Sequence, residues 1–490
     1  MPFWESDEVL YTHLSLFIVL LFVAASARAG DEDWARLGEL NLHPSALASR
    51  VDSGAPAPAA KGNAEKIGAL QKELASGRGP ASFSKECREF VASLPADFDY
   101  GLLRVPKDWS IPDGERLEIF YYGRFHVGNK APVALVNGGP GFPSWGMYKN
   151  RLGGDALAGM PFVFFDQRGN GCSSPYPSVS MEGATDAAGF YSSASIVRDM
   201  EAIRKTIYGE SVRWKVFGQS FGSTVVHRYV MLAPEGLDVG YAMGYALMSD
   251  WRDYRRVNIE YGLELQRRYF ERFPEDRDCL HQTLDMLVAR DCPGASTDAA
   301  RMDCSGPYAG KLDASFGNPN DWPKTHENIA AFCAAPPARP ATESPKEKRL
   351  DARDIAIHTI VTQEYLPLGF DPADPFACRA AWDRLSGRND WHDLTFFQGC
   401  DHHDGEELEL YRRNRTRASS YLSLAGFKDA LQTHPDVRFR LYSGEIDPYS
   451  PPPYYADESR ELAGRISYQM IPGGGHFDWG PIIEDIKSDQ

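Results

Sequence analysis

The sequence predicts an α/β protein with a mostly parallel, doubly wound sheet and an inserted, mainly helical cap domain. Short apolar runs alternate with loops and helical stretches in the first and last parts of the chain, which is typical of parallel sheets. Between about Ser249 and Gly426, long charged helical stretches such as Trp251 to Phe273 alternate with loops rich in proline, glycine and aspartate. We therefore expect this insertion to form a lobe of its own.

The first part of the chain has the features of an export signal. Leu14 to Ala27 is an apolar run too short to span a bilayer comfortably. Ala27-Arg28-Ala29 supplies the small-x-small pattern of a signal-peptidase site. Acidic residues stand at the start, where a signal peptide is usually basic, so an apolar helix packed on the protein is the alternative. We predict a signal peptide over residues 1–29, an exported protein, periplasmic or secreted, and no stable membrane insertion after cleavage.

Composition then sets the predicted domain limits. Residues 30–82 are rich in alanine, glycine, proline, serine and charged residues, which is typical of a linker or propeptide-like segment. Apolar patterning begins near Phe83, so the first part of the core is predicted over residues 83–248. The cap domain follows over residues 249–426, and the second part of the core covers residues 427–490.

Apolar runs within the core predict the strands of the sheet. The predicted strands are Phe98–Val105, Arg116–Arg124, Val133–Val136, Phe162–Phe165, Val437–Tyr442 and Ile466–Ile471. Phe162 to Phe165 is continuously apolar, as expected for a strand that is buried on both faces. Ser195 to Tyr208 has helical spacing and precedes the strand that carries the next motif.

A G-x-S-x-G motif centred on Ser220 organises the predicted site. Val216 and Phe217 precede it as a short buried strand would, and Thr224 to Leu232 follows it as a helix. Gly218 and Gly222 allow the strand and the helix to approach closely, so that the Ser220 hydroxyl stands above the edge of the sheet. A five-residue pattern occurs in many unrelated chains. Neighbouring motifs must therefore decide whether this serine is catalytic.

A catalytic serine needs a histidine base, and the histidine needs a carboxylate that orients it. Asp447 and His476 follow Ser220 in the chain order serine, acid, histidine. Each lies just after a predicted strand, where parallel sheets place ligands. We predict a triad of these three residues, with Glu445 as the alternative acid. Taken singly, a turn aspartate before proline or a chance histidine explains each residue equally well.

Acyl transfer also needs backbone donors for the oxyanion. We predict the N–H groups of Phe221, directly after the serine, and of Gly139, in the loop after Val133–Val136. A plain tight turn made by glycine and proline is the alternative for this loop. Asp166 and Arg168 are predicted to hold the motif loops together through charge-assisted hydrogen bonds.

Taken together, these motifs resemble the proline iminopeptidase and tripeptidyl aminopeptidase family of α/β-hydrolases. The resemblance rests on Asn-Gly-Gly-Pro-Gly at 137–141, Asp-Gln-Arg-Gly at 166–169, Gly-Gln-Ser-Phe-Gly at 218–222, Asp447 and Gly-Gly-Gly-His at 473–476. It covers roughly residues 95–250 and 430–480. Asn137 stands where many proline iminopeptidases have histidine. The resemblance implies the α/β-hydrolase fold and release of N-terminal residues, often proline, through an acyl-enzyme, without a metal or other cofactor.

An aminopeptidase must bind the free ammonium group of its peptide, and a carboxylate of the cap is the physical means. Glu260 and Glu264 lie one helical turn apart, and Glu364 is a third candidate. Salt bridges with neighbouring arginines are the alternative role for these side chains. The predicted partner is therefore a peptide with a free N-terminus. An esterase or lactonase that uses the same triad is the alternative function, and a non-catalytic, hydrolase-like binding protein is a further one.

Charge and cysteine content limit the other classes of function. The net charge of -16 disfavours nucleic acid and anionic membrane surfaces as partners.

The chain has 8 cysteines, all beyond residue 29, which permits four disulfides in an exported protein. Cys279 with Cys292, and Cys304 with Cys333, are the expected local pairs. Cys400 to Asp404 contains metal-capable side chains, but adjacent histidines point apart, so a polar cap loop is expected there.

Overall fold

A computed structural model of the chain describes residues 83–152, 154–177, 189–244, 251–309, 321–338, 390–395 and 422–489, without 448 and 463, and single residues between these ranges. The predicted signal peptide and the linker at 30–82 lie outside the described residues. So do Glu364, Cys378 and the segment from Cys400 to Asp404.

A single sheet of 8 strands forms the centre of the described residues. Its strands are β1 (Asp99–Pro106), β2 (Arg116–Arg124), β3 (Val133–Val136), β4 (Phe162–Phe165), β5 (Trp214–Gln219), β6 (Leu237–Met243), β7 (Arg438–Gly444) and β8 (Ile466–Ile471). Their order across the sheet is β1-β2-β4-β3-β5-β6-β7-β8. β1 and β2 run antiparallel to each other, and β2 runs antiparallel to β4, whereas all other neighbours are parallel. The predicted, mostly parallel sheet is confirmed.

Helices flank the sheet and make up most of the described part of the insertion between β6 and β7. They are α1 (Lys85–Ala92), α2 (Ser193–Tyr208), α3 (Phe221–Leu232), α4 (Trp251–Arg272), α5 (Pro274–Asp291), α6 (Asp298–Ala309), α7 (Trp322–Ala334), α8 (Trp391–Thr395), α9 (Leu424–Thr433), α10 (Pro452–Glu461) and α11 (Gly480–Ser488). Short helical turns cover Trp145–Met147, Tyr148–Leu152, Gly154–Leu157, Gly189–Tyr191 and Pro234–Gly236. Among the helices that the structure describes, none has both the length and the apolar character needed to cross a membrane.

Local sequence explains where the central elements begin and end. β3 and β4 are buried along their whole length, because both of their faces are covered by apolar layers. α2 begins after Ser192, whose side chain accepts the N–H of Ser195, and it ends at Gly209, where φ is +83°. α3 ends before Pro234, which cannot continue the helix.

Apolar side chains are buried on the sheet and, separately, within the helical insertion. One core lies on the sheet and includes Phe120, Phe164 and Ile482, each with 0% exposure. The other lies within the helical insertion and includes Leu284 and Ile329, also with 0% exposure. A core of its own is what a separate lobe requires. The predicted limits of the cap domain stay a prediction.

The disulfides differ from the expected local pairs. Cys279 is bonded to Cys333, and Cys292 is bonded to Cys304. The expected pairing was wrong because α5 and α7 pack against each other, which places Cys279 near the start of α5 beside Cys333 at the end of α7. Cys292, at the end of α5, then lies beside Cys304 on α6. A third bond joins Cys87 of α1 to Cys172 after β4.

Candidate active site

Ser220 lies at the sharp turn between β5 and α3. Its backbone angles are φ +54° and ψ -124°, and among the described residues it is the single non-glycine residue with positive φ. A Cβ on Gly218 would lie 2.1 Å from the carbonyl oxygen of Gly222, and one on Gly222 would lie 2.2 Å from that of Val136. The two glycines are therefore required because backbone occupies the space that side chains would need. This is the geometry of a nucleophile elbow.

Hydrogen bonds hold the strained turn in place. The Ser220 N–H donates to the carbonyl oxygen of Met243, the last residue of β6, at 2.7 Å. The Ser220 carbonyl accepts from both the N–H and the hydroxyl of Ser223, each at 2.8 Å. A residue with unfavourable backbone angles persists only where its surroundings fix it in this way.

Asp447 and His476 form a close pair at the ends of β7 and β8. His476 Nδ1 lies 2.7 Å from Asp447 Oδ2. The other carboxylate oxygen of Asp447 accepts the N–H groups of Tyr449 and Ser450, at 2.9 and 3.2 Å. The carboxylate is fully buried. Its partners therefore fix its plane, and the carboxylate in turn fixes the orientation of the imidazole ring.

The His476 ring lies next to Ser220. Gly244 lies between the two residues. A Cβ built on Gly244 would lie 2.9 Å from His476 Cε1 and 3.0 Å from Ser220 N. Gln219 Nε2 also donates to the His476 carbonyl oxygen at 3.3 Å. Within the described residues, no hydrogen bond joins the Ser220 hydroxyl to the imidazole. Such bonds are often long before a substrate is bound.

The glycine-rich loop after β3 packs against the serine. A Cβ on Gly138 would lie 2.8 Å from Ser220 Cβ, and Gly139 is the next residue of this loop. Asn137 Nδ2 donates to the Phe142 carbonyl at 2.6 Å and so closes the loop. Phe221, the other predicted donor, is the first residue of α3 and directly follows Ser220 in the chain. The structure thus brings both predicted donor segments to Ser220.

Three adjacent residues after β4 hold the motif loops together, as predicted for Asp166 and Arg168. Asp166 accepts the N–H and hydroxyl of Ser144, both at 2.7 Å, although burial raises the pKa of its carboxyl group. Gln167 Nε2 donates to the Asn137 carbonyl at 3.0 Å. Arg168 binds Asp199 of α2 through two hydrogen bonds, at 2.7 and 2.6 Å.

Helix α4 of the insertion lies near the loop that carries Asp447. Arg268 on this helix lies 3.9 Å from Glu445. Burial raises the pKa of Tyr261, also on α4, to about 12, and the charges of Glu445 and Asp447 add to that rise. Glu445 accepts the Gly473 N–H at 2.8 Å. The carboxylate of the alternative acid is therefore held by Gly473 and Arg268, whereas Asp447 is the one at His476.

The three predicted ammonium ligands have different surroundings. Glu264 accepts hydrogen bonds from Arg267 at 2.7 Å and from Arg268 at 3.0 Å. These bonds hold the pKa of the Glu264 carboxyl group below its ordinary value and neutralise its charge locally. Glu260 is exposed on the same helix, and Glu364 lies outside the described residues.

Sequence reasoning missed three exposed aromatic rings around the site. Tyr449 is 63% exposed and lies 5.3 Å from the His476 ring, measured between centroids. Phe477 is 47% exposed, and its ring lies 5.0 Å from the same histidine. Phe142 is 54% exposed and packs beside Gly139. The positions of these residues in the sequence could have indicated them, because each aromatic residue follows a motif residue by one or two places.

Comparisons with known proteins support the fold. A family profile described as the alpha/beta hydrolase fold matches residues 131–286. A proline iminopeptidase of Xylella fastidiosa (strain Temecula1) is 29% identical over 154 residues, which cover 31% of this chain and 42% of that protein. A proline iminopeptidase of Aeromonas sobria is 30% identical over 187 residues, covering 35% and 43%. The chain thus spans less than half the length of these relatives.

More distant similarity is found among solved structures. A proline iminopeptidase of Mycobacterium smegmatis aligns over 79% of this chain and 96% of that chain, at 15% identity and a TM-score of 0.38. At this distance it does not inform on activity. The strand order, the elbow and the family match carry the assignment instead. The chain has the α/β-hydrolase fold, and the resemblance to proline iminopeptidases that its motifs show is confirmed as a sequence similarity.

Proposed function

We propose that the protein is an exported serine aminopeptidase that releases N-terminal residues, proline among them, from short peptides. The observation that carries the proposal is the buried Asp447–His476 pair, 2.7 Å apart, beside a serine held at φ +54°. A serine, a histidine and a buried carboxylate in this order are the parts of a hydrolytic triad. Three disulfides among the described residues support export, because disulfides persist in oxidising compartments.

In the proposed mechanism, His476 accepts the proton of the Ser220 hydroxyl as the oxygen attacks the scissile carbonyl carbon. Asp447 stabilises the imidazolium that forms. The N–H groups of Gly139 and Phe221 stabilise the oxyanion. His476 then donates the proton to the leaving amine, which departs. Water attacks the acyl-enzyme with His476 again as base, and the acyl group is released as the N-terminal residue while the serine is regenerated.

The aromatic rings around the site support an apolar residue next to the scissile bond. Phe142, Tyr449 and Phe477 come from three different loops, each of which also carries a residue of the proposed machinery. Exposed aromatic surface beside a catalytic centre is suited to binding a ring such as that of proline, because its burial releases water. Glu260 and Glu364 are the proposed ligands of the substrate ammonium group.

An esterase or lactonase is the second candidate function, and one observation favours it. Glu264, a predicted ammonium ligand, is already bound to Arg267 and Arg268. A carboxylate neutralised by two guanidinium groups attracts a third cation weakly. If Glu260 and Glu364 also fail to bind the substrate amine, the aromatic surface would suit an acyl group instead.

The deciding experiment compares hydrolysis of a proline anilide, its N-acetylated twin and a short-chain nitrophenyl ester. We expect cleavage of the free-amine anilide, little cleavage of the acetylated twin and no activity in the Ser220→Ala variant. A fluorophosphonate probe should label the wild-type chain and fail to label this variant. Cleavage of the ester alone would establish the esterase. A folded wild-type chain that neither reacts with the probe nor hydrolyses any substrate would instead indicate a binding protein.

A second set of variants tests recognition of the amine. Glu260→Gln and Glu364→Gln should each raise KM for the free-amine anilide, by about 10- to 100-fold for the residue that binds the ammonium group, because charged hydrogen bonds contribute roughly 1.5–3 kcal/mol. Glu264→Gln is the matched control on the same helix as Glu260 and should change KM little. Unchanged KM in all three variants would remove these carboxylates from the proposal.

A further inference from the structure

Two histidines of the helical insertion lie face to face, on elements that do not carry the serine site. His281 is on α5 and His392 is on α8, and their ring centroids are 4.3 Å apart with planes inclined by 10°. The side chains are 21% and 10% exposed. Trp391, which is buried, packs against the His392 ring at 3.8 Å. The pair is therefore partly shielded from water and held by packing.

Each of these rings directs one nitrogen at a carboxylate outside the pair. His281 Nε2 lies 3.1 Å from Asp393 Oδ1, and His392 Nε2 lies 3.0 Å from Asp285 Oδ1. The two Nδ1 atoms face one and the same carboxylate. Asp390 Oδ1 lies 2.6 Å from His392 Nδ1, and Asp390 Oδ2 lies 3.9 Å from His281 Nδ1.

Histidines that bind metals use their two ring nitrogens in a similar way, one for the ion and one for an outer partner. A histidine that binds a metal through one nitrogen almost always donates its other N–H to a carboxylate, a carbonyl or water, which fixes the tautomer. With Asp393 and Asp285 as the outer partners, the Nδ1 atoms are the two that would bind an ion, and both lie on the side of Asp390. Binding would displace any proton that Nδ1 of His392 shares with Asp390. One ligand atom each from His281, His392 and Asp390 lies within 4.8 Å of the other two. The rings are stacked in parallel, so they must turn toward each other before both nitrogens reach one ion at the roughly 3.3 Å spacing of tetrahedral zinc ligands.

The ligands sit on elements that neighbouring contacts hold in place. Thr395 at the end of α8 is hydrogen-bonded to Ser305 of α6, with 3.0 Å between the hydroxyl oxygens. Asp393, on the outer side of His281, is bound by Arg277 at 2.9 Å. A site built on packed helices is pre-organised, which raises its affinity for an ion.

We propose that His281, His392 and Asp390 bind a zinc ion that joins α5 to α8. Two imidazoles and one carboxylate favour Zn²⁺ over Ca²⁺ and Mg²⁺, which prefer oxygen ligands alone. Water completes the tetrahedron. The role is structural, because the ion would fix the short helix α8 on the insertion, and it is independent of the proposed hydrolysis.

Calorimetric titration of the chelator-treated full chain with Zn²⁺ tests this proposal. We expect one ion per chain and a Tm that rises with Zn²⁺ concentration. His281→Gln and His392→Gln should each weaken Zn²⁺ binding by at least tenfold and remove the rise in Tm. Asp285→Asn alters an outer partner of His392 and should weaken Zn²⁺ binding by about 10- to 100-fold. His326→Gln is the matched control, because His326 belongs with Glu275 and Asp276 to the other group of possible ligands in the same insertion. Its affinity for Zn²⁺ should equal that of the wild type.

Circular dichroism without metal establishes that each variant is folded, and Asp390→Asn, which keeps both rings, replaces any variant that is not. Co²⁺ in place of Zn²⁺ should give the visible absorption bands of a tetrahedral site in the wild type and in His326→Gln only. Unweakened binding in both histidine variants, or weakening in His326→Gln alone, would overturn the proposal. So would a Tm that depends on pH and not on Zn²⁺, because the carboxylates would then be pairing with protonated rings.

Discussion

Asp447 illustrates at the scale of a single residue how a buried carboxylate is stabilised. Removing an unpaired charge from water is strongly unfavourable. One oxygen of Asp447 faces His476, and the other accepts the N–H groups of Tyr449 and Ser450. These contacts offset the loss of water and leave the imidazole with one favoured orientation. Glu445, two residues earlier, has none of these partners, because its carboxylate binds Gly473 and Arg268 instead.

Asp447→Asn should therefore abolish turnover while leaving the fold intact. An amide of the same shape cannot stabilise the imidazolium and favours the wrong tautomer of His476. We therefore expect kcat/KM to fall about 10⁴-fold, measured on the substrate that the anilide and ester assays identify. Glu445→Gln in the same loop is the control and should keep most of the activity. If Glu445→Gln is the variant that loses turnover, the acid has been assigned to the wrong residue.

At the scale of secondary structure, the elbow depends on how closely three backbones approach. β5 and α3 meet around Gly218 and Gly222, and the backbone of β3 touches Gly222 from the other side. Any side chain on Gly222 would press on the carbonyl of Val136, which cannot move without shifting β3 in the middle of the sheet. The position of Ser220 is thus coupled to the position of the glycine loop that follows β3.

Gly222→Ala should consequently destabilise the protein and misplace the serine. Overpacking of a buried site costs about 1–3 kcal/mol of unfolding free energy, measured by urea denaturation, and reactivity toward a fluorophosphonate should fall with it. Gly146→Ala is the matched control, since a Cβ at Gly146 meets no atom within 4 Å. Its unfolding free energy should stay within about 0.5 kcal/mol of the wild type. Equal stability of the two variants would contradict the close approach described here.

Several elements could be predicted from sequence because their signal is local. β2, β3, β4 and β8 have the predicted bounds, since each is an apolar or alternating run between clear turns. β6 was missed because Leu237–Met243 contains aspartate and glycine, which are rare in strands. The helix after the elbow begins at Phe221 instead of the predicted Thr224, because the turn is completed at Ser220 and the next residue is already helical.

At the scale of the whole molecule, Arg168 connects parts of the chain that are far apart in sequence. It binds Asp199 of α2, and it also donates to the carbonyls of Pro106 and Lys107 at the end of β1 and to that of Phe190. Both partners of the ion pair are buried, with side-chain exposures of 0% and 1%. A charge in such a place must stay paired, because the interior cannot solvate it.

Arg168→Leu should therefore destabilise the fold by about 3–5 kcal/mol, because it leaves Asp199 buried without its partner. Burial already raises the pKa of the Asp199 carboxyl group in the wild type, and Arg168 opposes that rise, so the pKa is higher still in the variant. The folded variant holds this proton to higher pH, so its deficit should shrink as the pH falls toward about 4. Arg301→Leu, which breaks the exposed pair with Asp298, should cost less than about 1 kcal/mol. A deficit that is independent of pH would show that lost packing, and not the unpaired charge, dominates.

Features that depend on packing between distant segments could not be predicted. The disulfide partners of Cys279 and Cys292 follow from how the helices of the insertion cross, which no local spacing encodes. His281 and His392 meet only because α8 returns to α5. The proximity of the three proposed triad residues could be predicted, in contrast, since each follows its own strand and parallel strands end at one edge of the sheet.

The order of the strands also has a consequence for when the protein can act. Gln219, beside the serine, and His476, whose carbonyl it binds, are 257 residues apart in the chain. A ribosome completes the elbow long before it adds the segment that carries the imidazole, and the whole helical insertion is made in between. A partly synthesised chain therefore contains the serine without its proposed base. The proposed hydrolysis would therefore begin only once the last two strands have joined the sheet.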